Sequence, residues 1–255
     1  MLFFLGTDMV HWVHKVQFPL FLNRLQLAER VTIPQAICAT AIDSGAFTEL
    51  SREGRFTFTA QSYVDLVRRY REKNTLAWAT IMDWMCEPFI TAKTGKTIRE
   101  HQQRTLDSFF SLTALATEIN WIPVLQGFHY DDYFDHARQY EAAGVDLRKL
   151  YPVGLGSICR RQGTYEAEEI IHGLWKAGYH LHAFGMKLTG LIRVARYLTS
   201  ADSMAWSFNA RKNPPLPGHT HQHCSSCLEW AVRWRDKAIR QIEQGMKRKR
   251  EPRLF

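Results

Sequence analysis

Three aspartates stand where apolar runs end: Asp43 closes QAICATAID, Asp83 closes AWATIMD and Asp202 closes LTSAD. A carboxylate in such surroundings must be paired or put to chemical use, because an unpaired buried charge is expensive. Other runs end in an amide or in bare backbone: Gln126-Gly127 after WIPVL, Gly154-Leu155-Gly156 in LYPVGLG, and Gly185 after HLHAF. Carboxylates accept hydrogen bonds from ring N–H and amino groups, while amides and backbone N–H groups donate to a carbonyl. Together they are the parts for reading a purine edge. Asp202 is a candidate nucleophile, since a carboxylate can attack an anomeric carbon and form a covalent glycosyl intermediate. In Asp43-Ser44-Gly45-Ala46-Phe47, the glycine lets backbone pass close to a ligand. A plain helix cap or loop is the alternative there. Phe47, Phe184 and Met186 are candidates to stack on a ring, with core packing as their plain alternative.

A second cluster is of another kind. His219-x-His221-x-His223-Cys224-x-x-Cys227 offers five soft or borderline ligands in a short stretch. Cys-x-x-Cys on a tight turn supplies two corners of a zinc tetrahedron, and the preceding histidines supply the others. Four protein ligands leave no open position for water, so the zinc reads as structural. Spacing alone leaves open which two histidines bind, and a His-rich loop with two free thiols is the plain alternative.

The elements that must position these groups are short apolar runs recurring every 30 to 45 residues, with helix-like segments at 60–73, 99–118, 131–143, 164–177 and 187–198 between them. That alternation predicts parallel strands joined by right-handed crossovers. The expected fold is α/β, a TIM-like (β/α)8 barrel, whose strand carboxyl ends gather at one face and hold the active site. Counting LFFLGT as the first strand, about seven strand signals are found rather than eight, so the barrel reads as irregular or incomplete. The region 16–34 is the least readable. Asn213-Pro214-Pro215-Leu216-Pro217-Gly218 is the strongest break in the chain. It divides a barrel domain over 1–212 from a segment over 213–255, which holds the His/Cys cluster and a long amphipathic helix packed on the barrel. Trp230, Trp234 and Ile242 of that helix are expected to face the barrel, with its arginines and lysines outward.

The chain has 255 residues, enough for one large α/β domain with a substantial core. Hydrophobic residues make up 45% and charged residues 23%, which excludes a disordered chain. The net charge of +8 and isoelectric point near 9.3 favour a polyanionic partner over an inert basic surface. Part of the excess sits in Met246-Lys247-Arg248-Lys249-Arg250, read either as a phosphate-binding arm or as a solvated terminus. No apolar run is long enough for a membrane span. The apolar opening lacks a basic leader and a cleavage site. Five cysteines without a disulfide pattern point to a reducing cytoplasm, the host's if the chain is phage-encoded.

The collective order of these motifs resembles the tRNA-guanine transglycosylases, and more fully their phage-type relatives, the 7-deazaguanine DNA transglycosylases of deazapurine DNA modification. AIDSGAFTEL, MDWMCEP, PVLQGFHYDDY, VGLGSICRRQG, LHAFGMK and ADSMAWSFNAR carry the likeness, over residues 35 to 235. The tRNA enzymes have Asp-Ser-Gly-Gly-Phe and a Cys-x-Cys-x-x-Cys zinc cluster with a distant His; here Ala46 and a His-rich cluster stand instead, in a shorter chain. The resemblance implies exchange of guanine in DNA for a free 7-deazaguanine base such as 7-cyano-7-deazaguanine, protecting phage DNA from restriction. It implies Asp202 as nucleophile and Asp43 as general acid/base. It further implies Asp83, Gln126, Gly127, Gly154, Leu155 and Gly156 as the base-recognition set, with Ser44, Phe184 and Gly185 as further substrate-binding candidates. Arg160, Arg161, Lys187 and Arg211 are candidates for phosphate contact, with solvated surface as the alternative. For the metal, the resemblance favours His219 and His221 with Cys224 and Cys227.

Three other readings compete. One is the same chemistry on tRNA, which the short chain and the Ser-Met-Ala-Trp-Ser continuation after Asp202 disfavour. A non-catalytic, zinc-containing nucleic-acid-binding module is disfavoured because acidic residues in a pocket repel phosphate. The last is an unrelated barrel hydrolase using Asp43 and Asp202, which needs a water-accessible intermediate rather than a purine-shaped slot.

Overall fold

The structure, a computed structural model, describes residues 1–161 and 163–248. The seven expected strands are all present: β1 (Leu2–Thr7), β3 (Thr40–Asp43), β4 (Leu76–Thr80), the run 121–125, β7 (Val153–Leu155), β8 (Leu181–Ala183) and β9 (Leu198–Ser203). The eighth, β2 (Leu20–Asn23), lies in the stretch that sequence reasoning could not resolve. The run 121–125 is cut at Pro123 into β5 (Trp121–Ile122) and β6 (Val124–Leu125). Proline has no N–H to donate to a ladder.

Strand order in the nine-stranded sheet is β5-β4-β3-β2-β1-β9-β8-β7-β6, and every pairing is parallel. Its two ends, β5 and β6, are the two halves of one chain run, so the sheet curls into a barrel that is nearly closed, with the break at Pro123. The α/β barrel expected from the sequence is therefore the fold, and its irregularity is this interrupted strand.

Helices surround the barrel. Those that sequence periodicity finds are α3 (Ala60–Arg71), α5 (Ile98–Leu115), α6 (Tyr130–Ala142), α7 (Tyr165–Lys176) and α8 (Leu188–Val194). Their starts are written locally: Thr97 accepts the N–H of Glu100 while the Glu100 carboxylate accepts the N–H of Thr97, a reciprocal cap that opens α5. α8 stops short of the expected 198 because Leu198 already pairs with Leu181 in the sheet. Shorter helices fill the loops above the strands: α1 (Arg24–Ala28), α2 (Ala46–Glu53), α4 (Pro88–Thr94) and α9 (Ala205–Arg211).

Side chains alternate along the strands. Phe3 and Leu5 pack toward the helices, whereas Phe4 joins Phe21, Ala41, Trp78 and Ile122 in a separate cluster inside the barrel. The last helix, α10 (Leu228–Arg248), buries Ile242 and lays Trp230 and Trp234 on the main core, Trp234 against Phe3. Its cationic face turns outward as expected except at Arg235, which stacks over Phe18 at 4.1 Å. Lys249 and Arg250 of the basic tail lie outside the described residues. No helix among the described residues is long and apolar enough to cross a membrane.

Candidate active site

Because all strands run parallel, their carboxyl ends meet at one face, and there a cavity of about 270 Å³ opens. Asp43, Asp83 and Asp202 all line it, with Leu155, Gly156, Phe184, Gly185 and Phe47. Asp43 and Asp202, 159 positions apart in sequence, thus share one pocket.

Asp202 sits near the end of β9 and is almost fully buried. Its Oδ1 accepts the backbone N–H of Gly185 at 2.9 Å and lies 3.3 Å from His182 Nε2. The other ring nitrogen of His182 is 2.8 Å from Ser200 Oγ. Burial lowers the pKa of His182, so the ring is neutral. With Ser200 donating to Nδ1, the proton sits on Nε2 and donates to Asp202. Both donors converge on Oδ1 of a residue that lines the cavity. Beneath it Phe4, Phe21, Trp78 and Phe184 ring His182 at centroid distances of 4.7–6.0 Å. The carboxylate therefore rests on an apolar floor with its orientation fixed.

Asp43, the last residue of β3, accepts from Asn23 Nδ2 at 3.3 Å. Burial raises its pKa to about 7; the Asp202 charge adds to the rise, against the N–H groups of Gly45 and Ser44. Gly45 has φ 80°, the left-handed region that turns the chain out of β3 and into α2. Asp83 lies three residues past β4 and is likewise raised to about 7, by burial first and then by the Asp43 charge. Gln126 Nε2 donates to Asp83 Oδ2 at 2.5 Å, and Gln126 Oε1 is 2.6 Å from Ser157 Oγ.

The remaining candidates divide. Gln126 is fully buried and outside the cavity wall; it acts by holding Asp83. Gly156 lines the cavity, and a Cβ there would come within 2.2 Å of Gln126 Nε2, so this approach needs glycine. Gly154 stands behind the wall and leaves room for the Phe184 ring, 2.7 Å from where its Cβ would lie. Gly127 packs against Asp132 at the start of α6, away from the cavity. Ser44 is buried outside the wall; its N–H donates to Thr80 Oγ1, and its own Oγ has no partner among the described residues. Met186 is core. Among the cations, Arg160 is exposed at the rim, stacked 4.6 Å over Phe89 and 5.6 Å over Phe47. Arg161 is held by Glu166 at 3.0 Å and donates to the carbonyl of Phe128. Lys187 and Arg211 are exposed outside the cavity wall.

The family model for "DeoxyPurine in DNA protein A" matches residues 1–250. The chain belongs to the DpdA family. The family is one of deazapurine DNA modification, as the motif order led us to expect, and membership supports a transglycosylase acting in DNA modification. No curated protein matches the chain.

Several residues of the cavity and of its support are not marked in the sequence. Asn23 was hidden in the unreadable stretch. His182 is a polar residue inside HLHAFG, the same signal that marks Asp83. Glu87 and Ser157 were unmarked. Glu87 is 4% exposed, its pKa is raised by burial, and its Oε2 lies 2.9 Å from Ser157 Oγ behind Asp83.

The His/Cys cluster is assembled beside α9 and α10. Ligand atoms of His219, His221, Cys224 and Cys227 all lie within 4.8 Å of one another. His221 Nε2 is 3.0 Å from Cys224 Sγ, His219 Nδ1 is 3.7 Å from Cys227 Sγ, and the two imidazole nitrogens are 3.3 Å apart. Ligands about 2.0–2.3 Å from a tetrahedral metal stand about 3.3–3.8 Å from each other, so this donor set can hold one ion. His219 Nε2 meets Glu229 at 3.2 Å, the outer carboxylate that orients a metal-binding imidazole.

Proposed function

We propose that this chain exchanges guanine in DNA for a free 7-deazaguanine base, such as 7-cyano-7-deazaguanine, through a covalent Asp202–deoxyribose intermediate. The observation that carries this reading is the convergence of three carboxyls on one cavity, two of them raised to about 7 and the third clamped through one oxygen. Oδ2 of Asp202 attacks C1′ as the bond to the guanine nitrogen breaks. Asp43, protonated because of its burial, gives its proton to the leaving base. The incoming deazaguanine returns a proton to Asp43, its nitrogen attacks C1′, and Asp202 is released. Asp83 accepts the ring N–H and exocyclic amine of either base, with Gln126 fixing its orientation. A target inside a duplex must be flipped out first.

A 7-deaza base lacks the N7 acceptor that proteins read in the major groove. Exchange would therefore blind restriction enzymes, which suits a phage genome in its host's cytoplasm. DNA carrying labelled guanine should lose its label when a deazaguanine is supplied, while labelled tRNA should keep it. Release from tRNA alone, or from neither polymer, would overturn the reading.

The metal in this reading is one structural zinc on His219, His221, Cys224 and Cys227, since two thiolates and two imidazoles suit that ion and leave no position open. Elemental analysis of freshly purified protein should find one zinc per chain. Cys227→Ser should release it and lower Tm by roughly 5 °C or more, on a scale of about 2–4 °C per kcal/mol for a chain of this size. A metal-free protein of unchanged Tm would refute the assignment.

A further inference from the structure

We propose that the exposed face of α9 is a DNA-gripping surface that holds the nucleotides next to the guanine being exchanged. The surface is a stripe of three side chains spaced four residues apart, Met204, Phe208 and Lys212. Met204 is 37% exposed and forms part of the cavity wall; Phe208, one turn further along, is 58% exposed. Lys212, the C-cap, places its Nζ 4.4 Å from the centre of the Phe208 ring. Residues four apart stack on one helix face. The stripe therefore leads outward from the cavity mouth in steps of about 5–6 Å along the helix.

The opposite face of α9 is anchored. Trp206 is buried and its Nε1 donates to the carbonyl of Gly6 at 2.8 Å; Ala210 is buried. Ser207 Oγ donates to the carbonyl of Ser225, between the two metal-site cysteines, at 2.9 Å. An aromatic ring is thus held in solvent on a rigid support, one turn from the wall that contains Asp202. A nucleotide whose C1′ reaches Asp202 is still joined to its neighbours, so those neighbours must cross the cavity rim. An exposed ring offers any base a face to stack on, and a cation beside it offers the adjoining phosphate a partner. The net charge of +8 agrees with a polyanion on this surface. Unlike the cavity residues, the stripe touches no reacting atom, and it reads no base identity.

The proposal rests on the DNA reading of the cavity, and its test separates the two. Affinity for a single-stranded oligonucleotide with one guanine is measured by fluorescence anisotropy for the parent, Phe208→Ala, Phe208→Trp and Lys212→Ala. Phe208→Ala should bind about tenfold more weakly. Phe208→Trp should bind like the parent, and Lys212→Ala should lower the salt dependence by about one phosphate contact. Affinity for free deazaguanine should not change in any of them. Binding by Phe208→Ala within twofold of the parent would overturn the proposal. So would a change in oligomeric state with DNA affinity kept, which would mean that a second copy of the chain covers the stripe. If Phe208→Ala loses DNA but the parent releases no guanine from it, the surface stands and the exchange reaction falls.

Discussion

Asp202→Asn should bring base exchange below detection, a loss of at least about a thousandfold, because the amide cannot form the glycosyl ester. The substitution is nearly isosteric, and its carbonyl oxygen can still accept the Gly185 N–H that now holds Oδ1 at 2.9 Å. Binding of DNA and of free base should therefore remain close to the parent's. The separation of binding from turnover is the informative part. A denaturing gel that shows a protein–DNA adduct for the parent should show none for the variant. Near-normal turnover by Asp202→Asn would transfer the nucleophile's role to Asp43, which lines the same cavity.

Asp83 should show two large effects of opposite sign. Asp83→Ala should weaken deazaguanine binding roughly tenfold to several-hundredfold, the range expected when about 1–3 kcal/mol of hydrogen bonding to a buried charged group is lost. DNA affinity, set by the basic surface, should hardly move; equal losses in both, or none in either, would sink the assignment. Stability should change the other way. With no base bound to donate to it, the folded protein keeps Asp83 protonated up to about pH 7, whereas in the unfolded chain it ionises near pH 4. Between those values the folded state binds the extra proton, so stability falls as pH rises. Keeping this carboxylate ionised above pH 7 costs on the order of 4 kcal/mol. Asp83→Asn removes that cost, so its Tm should exceed the parent's at pH 8 and match it near pH 4. A variant less stable than the parent at pH 8 would show that Asp83 is held by compensating contacts instead.

The barrel was legible because its strands announce themselves as apolar runs ending in a polar residue or glycine, set apart by helix-like segments. β2 ends in Asn23 in the same way but is not set apart. It is four residues long, follows Pro19, and passes straight into α1 through Asn23, whose side chain both caps that helix and reaches Asp43. The proline directly before the run and the helix directly after it leave no spacer on either side to mark it as a strand. The carboxylates were legible for the same reason as the strands they close. Sequence could not show whether a residue lines the cavity or supports one that does. Gln126 and Gly156 are adjacent in space, yet only Gly156 borders the cavity. The clamp on Asp202 was invisible because it joins β8 to β9 across the barrel interior, where spacing along the chain carries no information.

The pairing of β1 with β9, which sets Phe4 beside Asp202, makes the first strand and the last strand of the barrel neighbours. While the chain is being synthesised, β1 has no partner on that side until residues 198–203 have left the ribosome. Long-range pairings of this kind form late. The acidic pocket and its clamp therefore come into being only with the last strand of the barrel: Asp43 and Asp83 precede it in the chain, but the Gly185 and His182 donors have no Asp202 to hold until β9 is in place. Assembly of the pocket thus waits on the same ladder that joins the two edges β1 and β8 would otherwise leave open.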